Sequence, residues 1–260
     1  MGSEMCIRDR YYFENDFYEN RGDGTFLQIT DIGVGDKRDT DGVTWADYDN
    51  DGDGTFTDLA VGAGVDDKRN SSAAAFADYD NDGDLDLYVA DFYEQDLLYQ
   101  NQGDGTFIDV TPPNWKDQDR ASLGIAYADY NNDGFIDLIV GNFNLGYSLQ
   151  RNAGVAGADN NWLTIRLEGR SPINRDAIGA RVYVTTTDGT TRMQEVKSGS
   201  SFGAGNDTAL HFGLDNNTNP TVAIIWPDGT QETFTNIATN RTWNIIFKHT
   251  CWLYNCVDTP

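Results

Sequence analysis

Aspartates that alternate with other residues recur in three short segments, and these carboxylates are the side chains most able to do chemistry. The fullest segment carries, at its odd positions one to nine, Asp78, Asp80, Asp82, Asp84 and Asp86. In a tightly curled chain the first three carboxylates face a common centre, and a glycine at position six permits the turn through a positive φ. Position seven can offer a backbone carbonyl, and position nine closes the shell. A hard cation with about 6–8 oxygen ligands fits this supply, and that cation is Ca²⁺.

Two further segments repeat the spacing with different completeness. In the later one a neutral amide stands at position three and a carbonyl donor at position seven, and its ligands are Asp129, Asn131, Asp133, Phe135 and Asp137. The earlier one has lost its ninth ligand to Thr55 and retains Asp47, Asp49 and Asp51. Carboxylates packed together without a cation repel one another strongly. We therefore predict Ca²⁺ at the two complete segments and only a partial site at the earliest.

Two other interpretations of these segments are open. The same residues can form Asx turns without any metal, although the recurrence of one spacing favours a cation. Asp58 stands at position twelve of the earliest segment, which formally matches an EF-hand loop. We discount an EF-hand, because its loop needs helices on both sides and these flanks are small or β-branched and alternating.

The pentapeptide GDGTF and the Asp-rich motif recur in a fixed order, so the first half of the chain is a repeat array. GDGTF begins at residues 22, 52 and 103, and the first Asp of the other motif follows 25 or 26 residues later. The full period is 51 residues, and the first interval is about 20 residues shorter. We expect that a strand-containing segment has been lost there, which leaves a malformed or merged blade around residues 45–60.

The complete repeats have the sequence character of β structure. Short β-rich runs stand at residues 73–77, 85–90, 107–111 and 135–140. Strands with turn signals and a period near 50 residues predict propeller blades. Three blades are too few to close a usual propeller of about 4–8 blades. We therefore expect an incomplete propeller over residues 11–150, with further blades upstream in a longer parent protein.

Charge divides the chain near residue 150. The 260 residues carry a formal net charge of −24, and residues 1–150 hold 32 of the 42 acidic side chains but only 9 of the 18 basic ones. A surface this acidic repels phosphate backbones and anionic membranes, so we expect no nucleic-acid binding. Membrane insertion is also not expected, because no apolar run approaches the roughly 20 residues that span a bilayer.

The second half is predicted to be a different β domain, over residues 160–247. Seven short strands separated by turns indicate a sandwich or barrel, and they stand at residues 162–168, 180–185, 191–196, 208–214, 221–226, 231–234 and 242–247. The glycine-rich stretch 198–207 is predicted to connect two of these strands, since it does not open a helix as a phosphate-binding loop would. His211 alternates with apolar neighbours, which favours a surface or interlayer strand position over catalysis.

Both halves resemble known families. The segments DYDNDGDLDLYV and LYQNQGDGTFIDVT resemble the FG-GAP/VCBS repeats of integrin-α-like β-propellers. NNWLTIRLEG, AIGARVYV, SGSSFGAGND and LHFGLDNNTNPTVAIIWPDGT resemble the ASPIC/UnbV domain that follows such repeats in cartilage acidic protein-like proteins. The first resemblance implies a calcium site between two strands of each blade, fully at the segments from 78 and 129 and in part at the segment from 47. The second implies no catalytic residue.

The two ends of the chain fit neither half. We expect residues 1–10 to be a non-native or artefactual leader, because they lack the apolar run that a signal peptide needs and do not look like a strand. Residues 248–260 stay unassigned. Cys251 and Cys256 within them could form a small disulfide in an oxidising compartment, which two late cysteines indicate only weakly.

These observations predict an extracellular calcium-binding repeat protein, secreted or at the cell surface, whose structural Ca²⁺ sites support binding of a protein or glycan. We do not expect an enzyme. The alternative is a polysaccharide-active hydrolase or lyase on a propeller scaffold, but glycosidases need two carboxylates across a sugar cleft, and the clustered ones here have metal-ligand spacing. A purely structural extracellular scaffold is a third possibility. The tripeptide Arg21-Gly22-Asp23 suggests integrin adhesion, yet it lies inside the repeat motif.

Overall fold

The computed structural model describes the backbone of residues 5–8, 16–20 and 26–29, and then residues 60–66, 69, 71–115, 121–143, 145–199 and 205–247. Within these ranges the elements are strands, apart from a four-residue helix, Ala60–Ala63, and a 3-10 turn, Pro113–Trp115. The predicted all-β class is therefore confirmed. In the part of the chain that is described, no helix is long and apolar enough to cross a membrane. Three features lie outside the described residues: the earliest Asp-rich segment with Asp47, Asp49 and Asp51, the Arg21-Gly22-Asp23 tripeptide, and the two late cysteines.

The first sheet includes part of the segment expected to be a leader. Strand β1 (Met5–Arg8) pairs antiparallel with β2 (Asp16–Asn20), which pairs with β3 (Phe26–Ile29). The expectation that residues 1–10 contain no strand is wrong. Four residues suffice for one antiparallel ladder, and β2 pairs along one edge with β1 and along the other with β3.

The next two sheets are successive copies of one repeat. The first runs β4 (Ser71–Ala77), β5 (Asp86–Asp91), β6 (Leu97–Asn101) and β7 (Phe107–Asp109) as an antiparallel meander. The second runs β8 (Ser122–Ala128), β9 (Asp137–Asn142) and β10 (Gly146–Gln150) in the same way. Both Asp-rich loops connect the first strand to the second, so each loop is held at both ends by a ladder. Strands β6, β8 and β10 were not anticipated from the sequence.

These two sheets stack face to face, as blades of a propeller do. Small residues on β4, Ala73 and Ala75, and Tyr88 on β5 pack against Ile125 and Val140 of the next sheet. Alanines let the sheets approach closely, which explains why this strand is so poor in large side chains. The stacking supports the propeller-like arrangement that the 51-residue period predicts.

The C-terminal region is a sandwich of two sheets. One sheet has the order β14 (Leu210–Asp215), β11 (Asn161–Glu168), β17 (Arg241–Ile246), and the other has β13 (Thr191–Glu195), β12 (Arg181–Thr185), β15 (Thr221–Ile225), β16 (Gln231–Phe234). All seven predicted strands are present within two residues at each end. Their inward positions form one core, which includes Leu163, Ile165, Val182, Phe212 and Ile224.

Ile224→Ala is expected to lower the free energy of unfolding of this sandwich by about 2–5 kcal/mol, because it leaves a cavity in a close-packed core. Ile224 is fully buried. Urea unfolding of the variant measures the loss, and Met193→Ala, at a position 46% exposed, is the matched control with an expected change within about 0.5 kcal/mol. Equal losses in the two variants would contradict the assignment of the core.

Candidate metal centre

The loop between β4 and β5 begins at Asp78, directly after β4, and ends at Asp86, the first residue of β5. Its turn is made by two residues with positive φ, Asn81 at 61° and Gly83 at 94°. Asn and Gly are the residues that adopt this conformation most readily. The second loop turns at the equivalent positions 51 residues later, with Asn132 at 58° and Gly134 at 91°. The same backbone path is therefore built twice.

The first loop brings three of its five predicted ligands together. Oxygen atoms of Asp78, Asp80 and Asp86 lie within 4.8 Å of one another, and all three residues are buried. Asp82 and Asp84 are not in this group. The carboxylate of Asp82 accepts a hydrogen bond from the Asp84 backbone N–H at 2.8 Å. The backbone carbonyl of Asp84 stays the ligand predicted for position seven.

Hydrogen bonds orient the three carboxylates from outside. Asp78 Oδ2 accepts a hydrogen bond from Gly83 N–H at 2.9 Å. Asp86 accepts two hydrogen bonds, from Tyr79 N–H at 3.0 Å and from Asn101 N–H at 2.9 Å. Asp80 Oδ2 accepts from the Gln100 side chain at 2.6 Å. The remaining oxygen of Asp78, Oδ1, is buried without any hydrogen-bond partner.

Burial disfavours the ionised form of the carboxyl groups in this cluster. Removal from water raises the pKa of Asp78 well above its usual range, and the neighbouring carboxylates of Asp82 and Asp80 raise it further. Burial likewise raises the pKa of Asp86 to about 9 and that of Asp82 to about 6. The guanidinium of Arg192 opposes these shifts at Asp78 and Asp82 only in part. The cluster is thus short of positive charge.

The residues fit a hard divalent cation. All converging donors are oxygens, which suits Ca²⁺ rather than a metal that prefers nitrogen or sulfur. A buried oxygen without a partner, Asp78 Oδ1, is costly unless a cation or proton satisfies it. Asp78, Asp80 and Asp86 would hold the ion by their carboxylates. The full ligand sets proposed from the sequence stay predictions.

The second loop is more exposed and more internally bonded. Asp129 accepts from the N–H groups of Asp133 at 3.1 Å and Gly134 at 2.8 Å. Asp133 also pairs with Arg151 at 3.4 Å, and Asp137 is held by Asn152 N–H at 2.8 Å. Asn131 donates to Asp133 at 2.8 Å. The structure therefore places Asp129, Asn131, Asp133 and Asp137 around one turn, with Phe135 following it, but gathers no three carboxylates as closely as in the first loop.

Sequence reasoning missed the residues that orient the ligands. Asn101 and Asn152 each donate a backbone N–H to the last aspartate of their loop, and they stand 51 residues apart. That recurrence was a signal available in the sequence. Gly213 carried no comparable signal, because its contact with Asp78 joins residues 135 positions apart.

His211 is buried, as expected for an interlayer position of its strand. Its Nδ1 lies 3.0 Å from Thr164 Oγ1, and its Nε2 lies 2.7 Å from Asn81 Oδ1. Burial lowers its pKa to about 4, so the ring is neutral at physiological pH. It serves as a hydrogen-bond bridge between the sandwich and the first loop.

The metal-free chain is expected to lose stability as pH rises. A carboxyl whose pKa is raised on folding stabilises the fold below its unfolded pKa, and this stabilisation disappears as pH rises through the folded value. For Asp82 and Asp86 the window runs from 3.8, the ordinary value, to about 6 and about 9. Thermal melts in chelator should therefore give a lower melting temperature at pH 8 than at pH 5.5, and saturating Ca²⁺ should reduce that difference. A chelated chain that is more stable at pH 8 would contradict the uncompensated burial of these groups.

Comparison with known proteins divides the chain as its structure does. The family model described as FG-GAP-like repeat matches residues 78–140, and the one described as ASPIC and UnbV matches residues 170–250. Cartilage acidic protein 1 of Xenopus tropicalis is 25% identical over 251 residues, which cover 83% of this chain and 38% of that protein. The human and mouse proteins of that name are each 26% identical over 134 residues, 51% of this chain and 20% of theirs.

The chain spans less than two fifths of the length of these relatives. Both described Asp-rich loops fall inside the matched repeat, and most of the sandwich falls inside the second match. The chain therefore carries an FG-GAP-like repeat followed by an ASPIC and UnbV region, and it is similar to cartilage acidic protein 1.

Proposed function

We propose that this chain is part of a secreted or cell-surface protein that binds Ca²⁺ structurally in its repeat loops. The observation that carries the proposal is the buried triad of Asp78, Asp80 and Asp86 with one oxygen, Asp78 Oδ1, unpartnered. Three buried carboxylates repel one another, and one of them has an oxygen without a hydrogen-bond partner, so a bound cation would stabilise them strongly. The similarity to proteins named cartilage acidic protein 1 agrees with an extracellular setting.

The proposed role of the cation is structural rather than catalytic. Each triad carboxylate is tied to an N–H donor or a side-chain amide, and Asp78 is only 5% exposed and Asp86 only 1%. A substrate atom would have little access to an ion held there. The cation instead neutralises the loop and fixes the hairpin between β4 and β5, which positions the blade for packing.

The proposed biological role is interaction with an extracellular protein or glycan. Large apolar side chains are exposed together on and beside β9 and β10, including Phe143 at 67%, Leu145 at 60% and Tyr147 at 82%. Exposed apolar groups gathered in this way favour a contact surface. A glycan array and a pull-down with extracellular matrix proteins separate the two partner classes, and a chain that binds in neither would leave only the scaffold role.

Calorimetric titration after chelation tests the calcium proposal. Ca²⁺ should bind with at least one site per chain in buffered salt, and Asp86→Asn should remove the site at the first loop, whereas Asp137→Asn should remove any site at the second. Asp228→Asn, in an exposed turn of the sandwich, is the control with the same change of charge. Absence of heat with millimolar Ca²⁺ and of any melting shift would overturn the proposal.

A further inference from the structure

The sandwich closes directly over the first Asp-rich loop. Gly213 N–H, on β14, donates to Asp78 Oδ2 at 3.0 Å, and Asp215 N–H donates to the Asn81 carbonyl at 2.9 Å. From β13 the Arg192 guanidinium donates to the carbonyl of Gly83. One strand of each sheet of the sandwich therefore reaches the loop.

Side chains of the segment that joins the repeat to the sandwich also donate hydrogen bonds to the loop backbone. Asn152 donates from its side chain to the Tyr79 carbonyl at 2.7 Å, and Asn160 donates to the Asp80 carbonyl at 3.0 Å. Together with the bonds from the sandwich, these engage the carbonyl groups of most of the turn. These bonds favour the present conformation of the loop, because each of them is lost if its acceptor carbonyl moves away.

Two glycines lie where the sandwich and the joining segment come closest to the loop. A Cβ added at Gly213 would lie 2.0 Å from Asp78 Oδ2 and 2.6 Å from backbone atoms of Asn81. Gly213 does not need a positive φ, so the close contact alone requires glycine there. A Cβ at Gly157, in the joining segment, would lie 1.6 Å from the Asp80 carbonyl oxygen.

Docking of the sandwich has an electrostatic cost that a cation offsets. The contact takes water away from carboxylates that repel one another, and the Arg192 guanidinium compensates only part of that burial. Conversely, Gly213 N–H holds one oxygen of Asp78 and leaves the other, Oδ1, directed away from that donor and unpartnered. Docking of the sandwich therefore leaves a carboxylate oxygen available to the cation, and the cation offsets the electrostatic cost of docking.

We infer that docking of the sandwich and Ca²⁺ binding at residues 78–86 are one coupled equilibrium, in which Gly213 is a positioning residue for the metal site. The inference rests on the proposed calcium function and adds that the C-terminal region belongs to the site. Because coupling between two equilibria is reciprocal, Ca²⁺ strengthens the contact between the regions, and loss of the contact weakens Ca²⁺ binding.

Hydrogen exchange of the full chain tests the first direction. Amide exchange at Gly213 and Asp215 should slow about tenfold or more on going from chelator to saturating Ca²⁺, a factor typical of coupled sites. Exchange at the core amides of β12 and β15, away from the loop, provides the internal reference. Unchanged protection at Gly213 and Asp215, in a chain that binds Ca²⁺ by calorimetry, would overturn the inference.

Gly213→Ala tests the reverse direction, because it blocks the contact without altering any carboxylate. Calorimetry should show about tenfold weaker Ca²⁺ binding at the first loop, with the second loop unaffected. Gly199→Ala is the matched control, since a Cβ there meets nothing within 4 Å. Should Gly213→Ala fail to fold, Asn160→Ala removes one bond to the loop and should weaken the same site by a smaller factor.

The outcomes separate the two levels of the account. No Ca²⁺ binding by the unaltered chain overturns the proposed function. Binding with the affinity of the unaltered chain in folded Gly213→Ala, or in Asn160→Ala where Gly213→Ala does not fold, overturns the coupling and leaves the calcium function standing. Weaker binding in these variants, with the Gly199→Ala control unchanged, supports both.

Discussion

Ca²⁺ added to the chelated chain is expected to raise its melting temperature by about 5–10 °C per site at a free concentration of 100 times Kd. A ligand that binds only the folded state contributes about 2.7 kcal/mol at that concentration, and 1 kcal/mol shifts the melting temperature by about 2–4 °C for chains of about this size. The first loop is expected to be the tighter site, because its three carboxylates converge and are buried. Scanning calorimetry at several Ca²⁺ concentrations measures the dependence.

Any cation screens a net charge of −24, so this measurement needs a control for general salt. Mg²⁺ at matched ionic strength should give a much smaller shift, since it demands a tighter octahedral shell and keeps its waters. Equal shifts with Mg²⁺ and Ca²⁺ would indicate screening of the acidic repeat rather than a formed site.

Asp78→Asn is expected to change the melting temperature in opposite directions without and with Ca²⁺. The amide oxygen can accept the N–H groups of Gly83 and Gly213, as Oδ2 does now, and the amide NH₂ then stands where the unpartnered Oδ1 is and can donate to nearby carboxylates. The metal-free variant should therefore melt higher than the unaltered chain. With Ca²⁺ it should melt lower, because the NH₂ repels the cation at the first loop.

Melting curves of the variant and of the unaltered chain, each in chelator and in Ca²⁺, give the four values that this comparison needs. Asp228→Asn removes the same charge at an exposed turn and should leave the Ca²⁺-dependent shift as it is. A variant that melts lower than the unaltered chain in both conditions would mean that Asp78 serves the fold in some other way than by holding a cation.

The sequence was sufficient for the sandwich strands and for the local path of the Asp-rich loops, but not for strands β6, β8 and β10 of the repeats. Turns of the form D-x-D-x-D-G encode their own path, since Asn81 and Gly83 accept positive φ and the aspartates bond to N–H groups two to five residues away. The seven sandwich strands were predictable from alternation and turn residues for the same local reason. The strand at Met5–Arg8 was not, because its four residues depend on the edge of β2.

The difference between the two loops could not be read from spacing. Asp78 and Asp129 occupy the same position in the repeat, yet Asp78 lies under the sandwich, and Asp129 is only partly buried. That difference arises from contacts across more than 100 residues, such as Gly213 with Asp78. One-dimensional patterns identify ligand types, whereas burial and the distribution of pKa shifts follow from the tertiary fold.

The most direct test of a calcium site is long-wavelength anomalous diffraction from crystals of the chain grown with Ca²⁺. The account predicts an anomalous peak between the carboxylates of Asp78, Asp80 and Asp86, at about 2.3–2.6 Å from their oxygens, with Asp78 Oδ1 among the ligands. A map without such a peak at saturating Ca²⁺, in which Asp78 Oδ1 bonds to a water or a proton-bearing group instead, would contradict it.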